Sequence, residues 1–204
     1  MDMSATYALV CSQLISQATQ VIDKFHVMQH VYESVGEVRI RIRKELTATL
    51  SKCKKKTQED KQTLSEIEQI RRINHAITQS PDKWSNEMTE TVNKVFNKHN
   101  DLKKAYLISQ DLKHWYDYRH HNKSISAITN TLYNWYHHAS EIKEFEGVIK
   151  MIRKHEDQII NFFKTGLTSA KAERLNGKIQ RFVSNNYGIK NKDFIMYRIA
   201  GYFS

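Results

Sequence analysis

The chain has 204 residues, enough for one sizeable core or two small ones. One Pro and six Gly leave few breakers, which argues against a strand-and-turn protein and for long helices. A net charge of +10 points to a polyanionic partner, most often nucleic acid, while Cys11 and Cys53, far apart and outside any Cys-x-x-Cys, argue against a disulfide framework.

In chain order, Tyr7, Val10, Cys11, Leu14 and Ile15 recur at helical spacing, so a short amphipathic helix is predicted over about 4–17, with Ser4 as N-cap. Thr19-Gln20-Val21-Ile22 is short, β-branched and followed by Asp23, and reads as the one strand. After His26 the stripe Val27, Val31, Val35, Val38, Ile42, Leu46 and Leu50 predicts a long helix, with Arg39, Arg41, Arg43 and Lys44 on its other sides. Lys52 to Lys56 is a basic helix extension or a loop. A second helical block spans about Leu64 to Ile77 and is broken by Ser80-Pro81-Asp82.

Helical pattern resumes through Met88, Val92, Val95 and Phe96, and again from Leu102 to Trp115. Tyr118 to Lys123 is a polar break, followed by a face of Ile125, Ile128, Leu132, Trp135 and Tyr136. Phe145, Val148, Ile149, Ile152, Ile159 and Phe163 form another face, ending near Gly166. A last block begins at Ser169, with Ala172, Leu175, Ile179, Phe182 and Val183 on one side, Gly188 as terminator and Asn191 as N-cap of a final helix. No run is apolar and long enough to cross a membrane, and the start of the chain lacks the charged and apolar regions of a signal peptide, so a cytoplasmic protein with no membrane partner is expected.

Chemistry concentrates on the late helix. Glu173, Asn176 and Gln180 share one face, with Arg174, Lys178 and Arg181 as an adjacent basic stripe. An acid among cations is poorly placed to meet phosphate directly, but it can hold a divalent metal that does. The competing reading is a surface salt-bridge helix. Asp23, just past the predicted strand, suits a catalytic or metal-binding role or the capping of the next helix. His26 and His30 have zinc spacing but lack further ligands. The doublets His120-His121 and His137-His138 do not face one site. Trp84, Trp115 and Trp135 with Tyr116, Tyr118, Tyr133 and Tyr136 serve helix packing in preference to base stacking.

The pattern Glu173-x-x-Asn176-x-x-Ile179, then Tyr187-Gly188, Asn191, Phe194 and Arg198-Ile199, resembles the C-terminal end of bacterial insertion-sequence DDE transposases. The likeness is to the group with a helical insertion, broadly related to Mutator-like elements. Val21-Ile22-Asp23-Lys24-Phe25-His26-Val27 resembles the family's Asp-x-x-His segment, and Asp2-Met3-Ser4-Ala5-Thr6-Tyr7 the segment before it.

The resemblance implies a chain that is mainly α and holds an incomplete RNase H-like α/β domain with one short strand and a large helical insertion. Residues 1–43 would be partial core, 44–165 the insertion, and 166–204 the core helices carrying the third acid. It further implies Asp2 and Glu173 as catalytic, metal-binding carboxylates, Asp23, His26 and Asn176 as accessory residues, and Arg174, Lys178 and Arg181 as DNA contacts. Asp2 is preferred to Asp23 as second acid because the Asp-x-x-His pair lies between the second and third acids in this family. The implied cofactor is Mg²⁺ or Mn²⁺, two ions in the intact enzyme, serving DNA cleavage and joining by phosphoryl transfer. Implied partners are element-end and target DNA and other transposase copies, in a bacterial, nucleoid-associated setting.

The chain departs from the family in lacking the first carboxylate, the upstream strands and an N-terminal DNA-recognition module, and in carrying Gln180 and Ser184 where basic residues are usual. A C-terminal transposase fragment, inactive alone, is therefore expected. The alternative is a non-catalytic DNA-binding or transposase-interacting helical protein. A sheet reduced to one strand would also expose an edge and favour self-association.

Overall fold

The computed structural model describes residues 9, 13, 19–51, 58–117, 124–166, 170–186 and 191–203. Of the helix predicted over 4–17, only Leu9 and Gln13 fall within them, both helical; its cap Ser4 lies outside, as do Asp2, Lys52 to Lys56, the 118–123 break and Gly188.

The long helix α1 spans Lys24–Ser51. Its apolar stripe is the one predicted: Val27, Val31, Val35, Val38 and Ile42 are all buried. α2 (Gln58–Arg72) packs on α1 and buries Ile67 and Ile70. Arg39, expected among the outward-facing cations, is covered as well. Its Nη1 donates to the Ile70 carbonyl at 3.4 Å, and its Nε has no hydrogen-bond partner among the described residues. A second helix laid against a long first one covers more than one stripe, which the periodicity of α1 alone does not reveal.

Two 3₁₀ turns, Ala76–Thr78 and Pro81–Lys83, carry the chain past the predicted break, with Ser80 extended before the Pro as proline sterics require. α3 (Asn86–Lys98) is capped by Ser85, whose side chain accepts from the Met88 N–H. α4 (Asn100–Asp117) and α5 (Ile125–Ala139) follow, the latter capped by Ser124. A 3₁₀ turn at Lys143–Phe145 leads into α6 (Glu146–Lys154) and α7 (Glu156–Thr165), which ends at Gly166 with φ 67°. That left-handed conformation suits glycine because it has no Cβ to clash.

α4 is the central partner of α1, and α5 packs on α4. The α4–α5 seam is locked reciprocally. Trp115 Nε1 donates to the Ile128 carbonyl and Trp135 Nε1 to the Ile108 carbonyl, each at 2.8 Å. The indoles thus bury their area without orphaning their N–H groups. All three Trp serve packing, as expected, with Trp84 donating to the Ala76 carbonyl.

One element differs from expectation. Residues 19–23 are not a strand, and no strand occurs among the described residues. Val21 and Ile22 have the side chains of a strand, but no strand among the described residues lies beside them. Their segment lies against α7 instead: Ile22 N–H donates to the Gln158 carbonyl at 3.1 Å, and the Gln20 carbonyl accepts from Asn161 Nδ2 at 3.0 Å. Ile22 is fully buried by this docking. The described chain is therefore mainly helical. α1 also runs unbroken through residues 43 and 44, and its buried face belongs to the same core as helices α2 to α7.

Beyond Gly166, α8 (Ala170–Asn185) and α9 (Lys192–Phe203) pack on each other. Asn191 caps α9 as predicted, its Oδ1 accepting from the N–H groups of Asp193 at 2.9 Å and Phe194 at 3.1 Å.

Candidate functional site

Two places carry the residues singled out in the sequence. The first is the start of α1. Asp23 precedes the helix, and its Oδ1 accepts from the Phe25 N–H at 2.8 Å. This is the N-cap arrangement, which satisfies one of the helix's open donors. The neighbouring Lys24 Nζ reaches Asp117 Oδ1 at 3.0 Å and the Lys113 carbonyl at 3.3 Å, joining the head of α1 to the tail of α4. It also lies 5.7 Å from the centre of the Tyr116 ring. Tyr116 is fully buried, and its hydroxyl has no hydrogen-bond partner among the described residues. Burial, then the charge of Asp23, pushes this phenol well above its ordinary range.

His26 is half-buried, its ring edge-on to Phe25 at 5.7 Å between centroids. His30 Nδ1 pairs with Glu33 Oε2 at 2.8 Å. Among the described residues no three His, Cys, Asp or Glu side chains cluster in a way that could hold a metal ion. Asp2 lies outside those residues, and the side chains of Glu173 and Asn176 do too, although both positions are in α8. The described side chains thus do not build a metal site by themselves.

The second place is the α8–α9 pair. Arg174, Lys178 and Arg181 are exposed on α8, as the stripe predicted. A groove of about 660 Å³ is lined by Lys178, Arg181, Phe182, Asn185 and Tyr202. Phe182 and Tyr202 meet at 4.9 Å between ring centroids. The Arg198 guanidinium lies 5.5 Å from the Phe182 ring centre, and its Nη1 donates to Asn186 Oδ1 at 2.6 Å. The fold therefore brings two of the three predicted DNA contacts to one aromatic wall. Tyr202 escaped the sequence reading because it lies 20 or more residues beyond those contacts, and only the antiparallel return of α9 brings it back.

The transposase family profile DDE_Tnp_ISL3 matches residues 1–199 of the chain. The chain belongs to the ISL3 family of transposases. Its group is ISL3, which corrects the expected Mutator-like relationship. No curated protein and no solved structure matches it. For an ISL3 transposase chain, DNA is the implied partner and DNA transposition of an insertion sequence the process. The exposed cations of α8 have the sign that such a partner requires. Membership in this family suggests divalent-metal dependence in general. No described helix of this chain is long and apolar enough to cross a membrane.

Proposed function

We propose that this chain acts in the catalytic domain of an ISL3 transposase, presenting DNA to phosphoryl-transfer chemistry through α8. The observation that carries this reading is the exposed stripe Arg174, Lys178 and Arg181 on the helix that also contains Glu173. In an otherwise RNase H-like arrangement, residues 44–165 would be the insertion between the Asp-x-x-His pair and the last acid. Asp2 and Glu173 would hold Mg²⁺ or Mn²⁺, with Asp23, His26 and Asn176 as accessory residues. Two such ions would stabilise the attacking and leaving oxygens of the displaced phosphate. The chain is expected to bind DNA and to associate with transposase copies in the bacterial cytoplasm.

The test is a salt titration of duplex binding by the full chain. Neutralising several phosphates makes affinity fall steeply as salt rises. Replacing Arg174, Lys178 and Arg181 with Gln should flatten the log–log slope by about 0.9 for each phosphate that is no longer neutralised. Absence of binding at low salt would sink the reading. A second reading, a DNA-binding protein without catalysis, is favoured by the commitment of Asp23 Oδ1 to the α1 cap. Specific cleavage of element-end DNA by this chain in Mg²⁺ or Mn²⁺ would exclude it.

A further inference from the structure

The groove between α8 and α9 has a make-up that phosphate binding alone does not account for. Among the described side chains, its lining combines two cations, Lys178 and Arg181, with two aromatic rings and the Asn185 amide. Its volume of about 660 Å³ lies within the range of about 300–1,000 Å³ usual for small-molecule and cofactor sites. Cations recognise a phosphate, an aromatic ring recognises the flat face of a base, and an amide can bond a base edge.

We propose that this groove receives one unpaired nucleotide of a DNA strand, with its base stacked on Tyr202 and its phosphate held by Lys178 and Arg181. The proposal rests on the reading of the chain as a DNA-acting transposase and adds what α8 and α9 recognise. A paired base inside a duplex has both faces covered by its stacked neighbours. It cannot also stack on a protein ring without leaving the helix. Tyr202 is 68% exposed at the groove, so its ring is accessible to an incoming base. Phe182 is half-buried, in contact with both the Tyr202 ring and the Arg198 guanidinium, and Arg198 is in turn tied to Asn186. Arg198 and Phe182 therefore support the platform, while Tyr202 meets the base. Lys178 follows Arg174 by four residues and precedes Arg181 by three, so the cations follow one another along the helix at about 6 and about 4.5 Å. A strand lying along α8 would pass the groove with its backbone on this stripe.

The experiment compares the full chain bound to a single-stranded oligonucleotide carrying one 2-aminopurine with the chain bound to a duplex of the same sequence, both in EDTA. The expected result is a change in 2-aminopurine fluorescence on binding the single strand. Tyr202→Leu keeps apolar bulk but removes the stacking ring. It should weaken single-strand binding about ten-fold while leaving duplex affinity within about two-fold. Tyr202→Phe should restore single-strand affinity, which separates stacking from a folding defect. Lys178→Gln and Arg181→Gln should weaken both substrates. The proposal is overturned if Tyr202→Leu affects both substrates equally or neither. It is also overturned if the probe does not respond, or if Tyr202→Leu converts a dimer to a monomer, which would make the groove an interface between copies. Duplex binding with a silent probe removes the groove proposal alone. Failure to bind either DNA at low salt removes the transposase reading as well.

Discussion

Asp23 holds two possible jobs in one side chain. Its Oδ1 accepts the Phe25 N–H at the head of α1, and its charge lies close enough to Tyr116 to act on that buried phenol. Capping needs only a short polar side chain, whereas an accessory acid needs the carboxylate. Asp23→Asn should therefore leave thermal stability nearly unchanged, and Asp23→Ala should lose about 0.5–2 kcal/mol in chemical denaturation. Metal-dependent DNA cleavage should fall in both variants if the carboxylate serves the chemistry. If activity survives in Asp23→Asn, the residue is a cap and nothing more. The capping role was legible at this position, because an acid before an apolar helical stripe is an N-cap signal whatever else it does. Lys24 was not legible, since its partners Lys113 and Asp117 belong to a helix distant in sequence.

At the scale of elements, side-chain spacing identified the helices better than it identified the strand. A helix satisfies its own backbone, so the stripe of α1 or the face of α5 is enough to recognise one. A strand needs a neighbour, and Val21-Ile22 has none among the described residues; α7 supplies the hydrogen bonds instead. The reciprocal indole bonds between α4 and α5 give a test of packing. Trp135→Phe keeps most of the buried area but leaves a cavity and removes one bond, and should cost about 1–3 kcal/mol in denaturant unfolding. Trp135→Ala should cost about 3–5 kcal/mol. Equal losses for the two variants would show that the hydrogen bond, not the ring, dominates. Gly166→Ala should destabilise by about 1 kcal/mol, because alanine is strained at φ 67°.

Across the whole molecule, interhelical ion pairs tie the bundle together. Arg41 bonds Glu144 on the turn before α6 and Asp101 on α4, while Glu66 of α2 receives Lys98 and His99. Burial alone would raise the Glu66 carboxyl, but Lys98 and His99 hold it below its ordinary value. Its stabilising contribution is therefore present above the unfolded carboxyl range and is lost as pH falls through the lowered folded range. Glu66→Gln should melt below the wild type at pH 7, with the gap closing below about pH 4. A gap that persists in acid would assign the loss to packing.

The continuous core runs from Ile22 to Phe162, whereas α9 exposes Phe194, Met196 and Tyr197. The edge-strand route to self-association finds no strand edge among the described residues, and apolar exposure at this end of the chain sits on a helix instead. Amide exchange should be much slower in α1 and α4 than in α8 and α9, and DNA should slow it in α8. Uniform protection across both regions would contradict this division.

Composition and periodicity by themselves determined a basic, helix-rich chain, the stripe of α1, the caps Asp23 and Asn191, and the cationic row on α8. These are local properties, set by charge, by helical period and by side chains bonding to their own backbone neighbourhood. Only the tertiary structure decided that Arg39 is buried, that 19–23 docks on α7 as an irregular segment, and that Tyr202 returns to Lys178 and Arg181. Each of those depends on which distant element covers, pairs with or approaches the residue, and such contacts leave no regular spacing in the chain.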